Sequence, residues 1–103
     1  MAQQRPIMAL LELMNKKWSM RVLWELHTSA STFRELQSRC GEISPTVLNK
    51  RVKELRASLL ITDGDAGYEL TSLGHELIEQ FHPINKWAKK WVKQVGVIDE
   101  ADH

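Results

Sequence analysis

Between positions 44 and 53 the chain gathers side chains suited to contacting a polynucleotide: Ser44, Thr46, Asn49, Lys50, Arg51 and Lys53. Asparagine matches the donor and acceptor edge of adenine, lysine donates to guanine acceptors, and threonine meets a thymine methyl or a phosphate. If this segment is a helix, Val47, Leu48, Val52 and Leu55 define its buried face, leaving Thr46, Asn49, Lys50 and Lys53 outward. Thr46, Asn49 and Lys50 are therefore the candidate base readers. Ser44, together with the free amides at a helix start, suits a phosphate oxygen. Lys53 and the earlier Arg34 are candidate phosphate contacts. Arg51 lies at the edge of the buried face, so orienting the helix and contacting phosphate are equally open to it.

The elements that must position these groups carry clear boundary signals. Thr32 and Glu35 stand at capping-box spacing, and Gly41 suits a left-handed C-terminal cap. Ser44 is a natural N-cap, Pro45 fits the first helical position, and Ile43 and Leu48 stand at hydrophobic-staple spacing. Residues 32–56 thus read as a helix-turn-helix whose second helix covers 45–57. Upstream, Pro6 opens a helix bearing Ile7, Leu10, Leu11 and Met14. A second helix runs through Trp18, Met20, Leu23, Trp24 and Leu26, and the polar run at 28–31 ends it.

Downstream, Leu59-Leu60-Ile61, the turn-forming Asp63-Gly64-Asp65-Ala66-Gly67 and then Tyr68 and Leu70 predict a small hairpin over 59–70. Thr71 caps a long final helix over 72–95 with apolar positions Leu73, Leu77, Phe81, Ile84, Trp87 and Trp91. Pro83 predicts a kink or restart within it, because proline removes a bond to Glu79 and crowds that carbonyl. The expected fold is mainly α with a small β-hairpin, a winged helix-turn-helix. It is expected as a single domain over 1–103 that ends in an acidic tail at 98–103. The terminal helices carry more apolar surface than one small core needs, so Ile7, Leu10, Leu11, Trp87 and Trp91 are the candidate dimer contacts.

At 103 residues, one domain burying about two thirds of its unfolded surface is the natural expectation. A single cysteine, Cys40, and no secretory pattern point to the cytoplasm. Lys or Arg interrupts every apolar segment, so no membrane span is expected. The formal charge of +1 is low for a polynucleotide binder, but it is unevenly spread. Bases cluster at Lys16, Lys17 and Arg21, along Lys50, Arg51, Lys53 and Arg56, and at Lys86, Lys89, Lys90 and Lys93. Such coincidence of charge with an exposed reading face is what double-stranded DNA attracts. Catalysis has no matching constellation, with no phosphate loop, nucleophile turn or cysteine pair. His75, Glu79 and His82 share a helical face, but no further ligand at metal spacing accompanies them, so neither metal nor cofactor is expected. His27 and His103 stand alone in the sequence.

Several short stretches together resemble the HxlR-type winged-helix regulators, relatives of the MarR group. They are Lys17-Trp18, Phe33-Arg34-Glu35-Leu36, Ile43-Ser44, Val47-Leu48, Arg51-Val52, Glu54-Leu55, Tyr68-Glu69-Leu70-Thr71, Leu73-Gly74, Trp87 and Trp91. The resemblance implies a bacterial transcription factor that works as a homodimer on a palindromic operator; whether it represses or activates depends on where the operator lies relative to the polymerase, repression being the default. It also implies that the first and last helices build the dimer. Many such proteins carry a cysteine just before the proline of the first helix, whereas this chain has Arg5. Thiol sensing by that route is therefore not expected, and Cys40 reads as a small buried residue. Two carboxylates, Asp63 and Asp65, sit at the hairpin tip, where a DNA-contacting wing would present cations. A rival reading follows from that tip and from the low net charge: a winged helix used for protein contact or ligand sensing. An unidentified small-molecule effector near Trp18, Trp24 and Trp87 belongs to either reading.

Overall fold

In a computed structural model of the protein, residues 5–96 are described; the acidic tail expected at 98–103 lies outside them. Six helices and a two-stranded antiparallel hairpin follow one another in the described residues. Helix α1 (Pro6–Asn15) begins with proline at a position whose missing amide costs nothing. The chain then turns through Trp18, held at φ 80°, into α2 (Ser19–Leu26). Helix α2 is the central rod of the domain, burying Ser19, Val22, Leu23 and Leu26.

Helix α3 (Phe33–Arg39) starts with the full capping box. Thr32 Oγ1 accepts from the Glu35 amide at 3.2 Å, and the Thr32 amide donates to Glu35 Oε1 at 2.8 Å. Gly41, at φ 77°, ends it. The Gly41 amide reaches Ser38 O and the Glu42 amide reaches Gln37 O, the bond pair of a Schellman cap. Helix α4 (Pro45–Ala57) starts at Ser44, whose Oγ accepts from the Val47 amide at 3.2 Å. Its end repeats the Schellman pattern: Leu59 amide to Arg56 O and Leu60 amide to Leu55 O. Leu59 therefore takes the left-handed position, at φ 64°, that glycine takes after α3.

Strands β1 (Ile61–Gly64) and β2 (Gly67–Leu70) pair in register from Ile61 with Leu70 to Gly64 with Gly67. Leu59 and Leu60 belong to the helix cap rather than to the hairpin, because the Schellman bonds claim their amides. The five-residue loop expected from 63 to 67 is correspondingly a two-residue turn at Asp65-Ala66. The wing also has a third member that the sequence reading missed. Ser31 exchanges both backbone bonds with Tyr68, at 3.0 and 2.8 Å, on the other edge of β2. Gly67, at φ 121°, lies so close to the Ser31 backbone that a side chain there would collide with it.

The expected long final helix is divided in two. Helix α5 (Ser72–Glu79), capped by Thr71, ends where α6 (Phe81–Val95) begins after Gln80. Pro83 lacks the amide that would have bonded Glu79 O across the junction, so the helical ladder is interrupted there. The core gathers Val22, Leu23 and Leu26 from α2, Leu36 from α3, Leu48, Val52 and Leu55 from α4, and Ile61, Leu70 and Ile78 from the wing and α5. Neither α1 nor α6 buries a residue.

Candidate nucleic-acid interface

Helix α4 is anchored by Leu48, Val52 and Leu55, all essentially without solvent exposure. Opposite them, Thr46, Asn49, Lys50 and Lys53 are exposed along the helix, and Ser44 is exposed at its start. This is the segregation that period-3.6 patterning predicts, so the proposed base readers share a surface that the core leaves open. Arg34 is exposed in the first turn of α3.

Arg51 is differently placed. Its side chain is 14% exposed, its Nε donates to Lys17 O at 2.8 Å, and its Nη1 donates to Glu54 Oε1 at 2.6 Å. Lys16 Nζ reaches Glu54 Oε2 at 3.5 Å. Of the two roles open to Arg51, this geometry favours orientation: its Nε ties α4 to the turn between α1 and α2, and its Nη1 holds Glu54 within reach of Lys16. Burial raises the Glu54 pKa, but the Arg51 hydrogen bond and the charges of Arg51 and Lys16 outweigh it and hold the carboxyl below its ordinary range. The Thr32 amide and hydroxyl likewise hold Glu35 low.

A second network fixes α3 and the segment before it that bridges to the wing. Arg39 donates to Ser31 Oγ and Ser29 Oγ, both at 2.9 Å, while Arg21 donates to Arg39 O at 3.0 Å and to Glu25 at 2.8 Å. Asp63, one of the two carboxylates near the wing tip, accepts from Arg56 Nη2 at 2.8 Å. Arg56, which the sequence reading left in a general basic cluster, is thus the ion-pair partner of the wing. The available signal was its place two helical turns after Asn49.

The remaining candidates separate. His82 lies on α6 while His75 and Glu79 lie on α5, so the shared face of a continuous helix does not form. His82 instead meets His27 (ring centroids 5.8 Å apart) and Trp24 (6.1 Å), and His27 Nδ1 is 2.6 Å from Trp24 O. His27, isolated in sequence, is therefore paired in space. Among the described residues no group of three or more His, Cys, Asp or Glu side chains could hold a metal ion. Trp18 and Trp24 pack against the core, and Trp87 stacks on Trp91 outside it, with centroids 6.0 Å apart. An apolar groove of about 300 Å³ lies elsewhere, between Leu10 of α1 and Leu73 and Leu77 of α5. Cys40 is 1% exposed, and burial pushes its thiol pKa up. No described helix is long and apolar enough to cross a membrane.

Comparison with known proteins agrees with this arrangement. The chain is 26% identical over 89 residues to the Bacillus subtilis strain 168 HTH-type transcriptional regulator YvaP, itself uncharacterised, covering 80% of this chain and 82% of YvaP. The crystal structure of quinone-bound YodB from B. subtilis superposes with a TM-score of 0.75 at 25% identity, covering 82% of this chain and 96% of YodB. A MarR-family regulator from Enterococcus faecalis V583 shares the fold, with a TM-score of 0.74 at 18% identity over 95% of this chain and 98% of that one. Residues 13–96 match the model of the HxlR-like helix-turn-helix family. With that match spanning most of its length and a winged helix-turn-helix at its centre, the chain belongs to the HxlR-like helix-turn-helix family of transcriptional regulators.

Proposed function

We propose that this protein is a sequence-specific DNA-binding regulator that acts as a homodimeric repressor on a palindromic operator, with α4 in the major groove. The observation that carries this reading is the exposed stripe of Thr46, Asn49, Lys50 and Lys53 directly opposite the buried Leu48, Val52 and Leu55. In that pose Thr46, Asn49 and Lys50 meet base edges, while Ser44, Lys53 and Arg34 meet phosphates. Arg51 acts behind them, holding the angle of α4 against α1 and α2.

A second copy of the chain is the natural cover for α1 and α6. Ile7 is 54% exposed, Trp87 58% and Trp91 45%, with Leu11 also exposed and Leu10 half-buried. Apolar area of that extent on two helices is typical of an interface rather than of a free surface. Dimerisation places two reading helices about one turn of DNA, or a multiple, apart. An effector would act without the thiol route, since Arg5 stands before Pro6 and Cys40 is buried.

Genomic binding in the native host, followed by a salt titration on the strongest recovered fragment, tests the reading. A palindromic site whose affinity falls steeply with salt is the expected result. Shallow binding indifferent to sequence would overturn it in favour of a protein-contact module.

A further inference from the structure

The wing, residues 61–70, contains no Lys or Arg, but it carries Asp63, Asp65 and Glu69. The nearest cation is supplied by α4. At 3.6 residues per turn, Arg56 lies about 20° around the axis from Asn49, so it continues the exposed stripe of Asn49 and Lys53 toward the wing. Its Nη2 donates to Asp63 Oδ1 at 2.8 Å, and its Cζ stands 5.8 Å from the centre of the Tyr68 ring. Asp63 and Tyr68 are opposite one another in the hairpin register, so both strands hold the guanidinium. Together they form one wall of an open groove of about 350 Å³, with Thr32 and Phe33 of the α3 start on the other side.

We propose that Asp63 is an intramolecular stand-in for a DNA phosphate: it keeps Arg56 extended at the mouth of this groove, and a backbone phosphate replaces it when a duplex docks. The inference rests on the DNA-binding reading of α4. Carboxylate and phosphate oxygens accept from a guanidinium in the same geometry. Both partners of the pair are well exposed, 42% for Arg56 and 69% for Asp63, so the exchange costs little. Holding Arg56 in place beforehand reduces the ordering cost on binding. Breaking the Arg56–Asp63 pair subtracts from what the phosphate gains, however, and that competition for the guanidinium sets a ceiling on affinity. The acidic wing thus tunes a phosphate contact that α4 makes.

The test is fluorescence anisotropy with a labelled mixed-sequence duplex about three helical turns long, since a phosphate contact is independent of sequence. Asp63→Asn should tighten binding about two- to fivefold, the range of an exposed charge pair. Arg56→Gln should weaken it by a similar factor and reduce the salt slope by about one. The double variant should bind like Arg56→Gln alone. Asp65→Asn, which changes the same charge in the turn, should gain less than Asp63→Asn. The proposal is overturned if Asp63→Asn binds no tighter than wild type, if its gain persists without Arg56, or if Asp65→Asn matches it. If the wild-type protein fails to bind the duplex at low salt, the DNA-binding reading itself falls.

Discussion

Arg51 offers the sharpest test of how the reading helix is held. Replacing it with Met keeps most of its aliphatic packing but removes the donors to Lys17 O and Glu54 Oε1. A largely buried charged hydrogen bond contributes about 1.5–3 kcal/mol, and Glu54 would keep only Lys16 as a partner at 3.5 Å. A loss of about 2 kcal/mol is expected, which in a domain of this size lowers Tm by roughly 8–16 °C. Urea and thermal unfolding at fixed protein concentration would measure it, because the proposed dimerisation would make the midpoint concentration-dependent. Arg51→Lys should lose nearly as much stability, since an ammonium cannot reproduce the two-way fork. DNA titrations of both variants supply the second readout. If Arg51→Met left stability unchanged while Arg51→Lys retained full DNA affinity, Arg51 would be a phosphate contact. Its assignment as the tie between α4 and the α1–α2 turn would then be refuted.

Four further outcomes are expected. Leu59→Gly should stabilise the fold by about 0.5–1 kcal/mol, because a left-handed, 67% exposed leucine is strained where glycine is not; a drop in the urea midpoint would contradict this. Glu35 and Glu54 are both held below the ordinary carboxylate value of 4.5, so their stabilisation is complete above that pH and is lost as pH falls through the folded-state values. Urea midpoints against pH should accordingly decline below 4.5, and less so in Glu35→Gln. Trp91→Glu should convert a dimer to monomer by light scattering, and an unchanged mass would remove α6 from the interface. On a mapped operator, Asn49→Ala should erode discrimination against altered sites by about 1–3 kcal/mol, whereas Lys53→Ala should weaken all duplexes alike.

The helix-turn-helix was legible because its signals are local. A capping box at Thr32 and Glu35, a glycine after α3 and Ser44-Pro45 before α4 each act through backbone groups a few residues away. The period of Leu48, Val52 and Leu55 then names the outward face without any knowledge of what covers the inner one. Pro83 foretold the interruption of the last helix for the same reason: its missing amide acts on Glu79, four residues back. The unmatched apolar faces of α1 and α6 were legible as well, since too many large side chains recur there for one small core.

The bridge from Ser31 to the wing, the tie from Arg51 to Lys17 and the meeting of His27 with His82 depend on groups far apart in sequence. Ser31 pairs with Tyr68, Arg51 with Lys17 and His27 with His82 only because α2 carries those segments to one another. The Leu59 cap shows the complementary limit. Propensity gave no reason to expect leucine in a left-handed position, yet the burial of Leu55, Leu60 and Ile61 requires the chain to reverse there. Sequence by itself determined which helices form and which face of α4 remains open, because caps and periodicity act over a few residues. Tertiary structure alone decided which charges are paired within the fold and which remain free at its surface, because a guanidinium's partner is whatever the fold places within 3 Å of it.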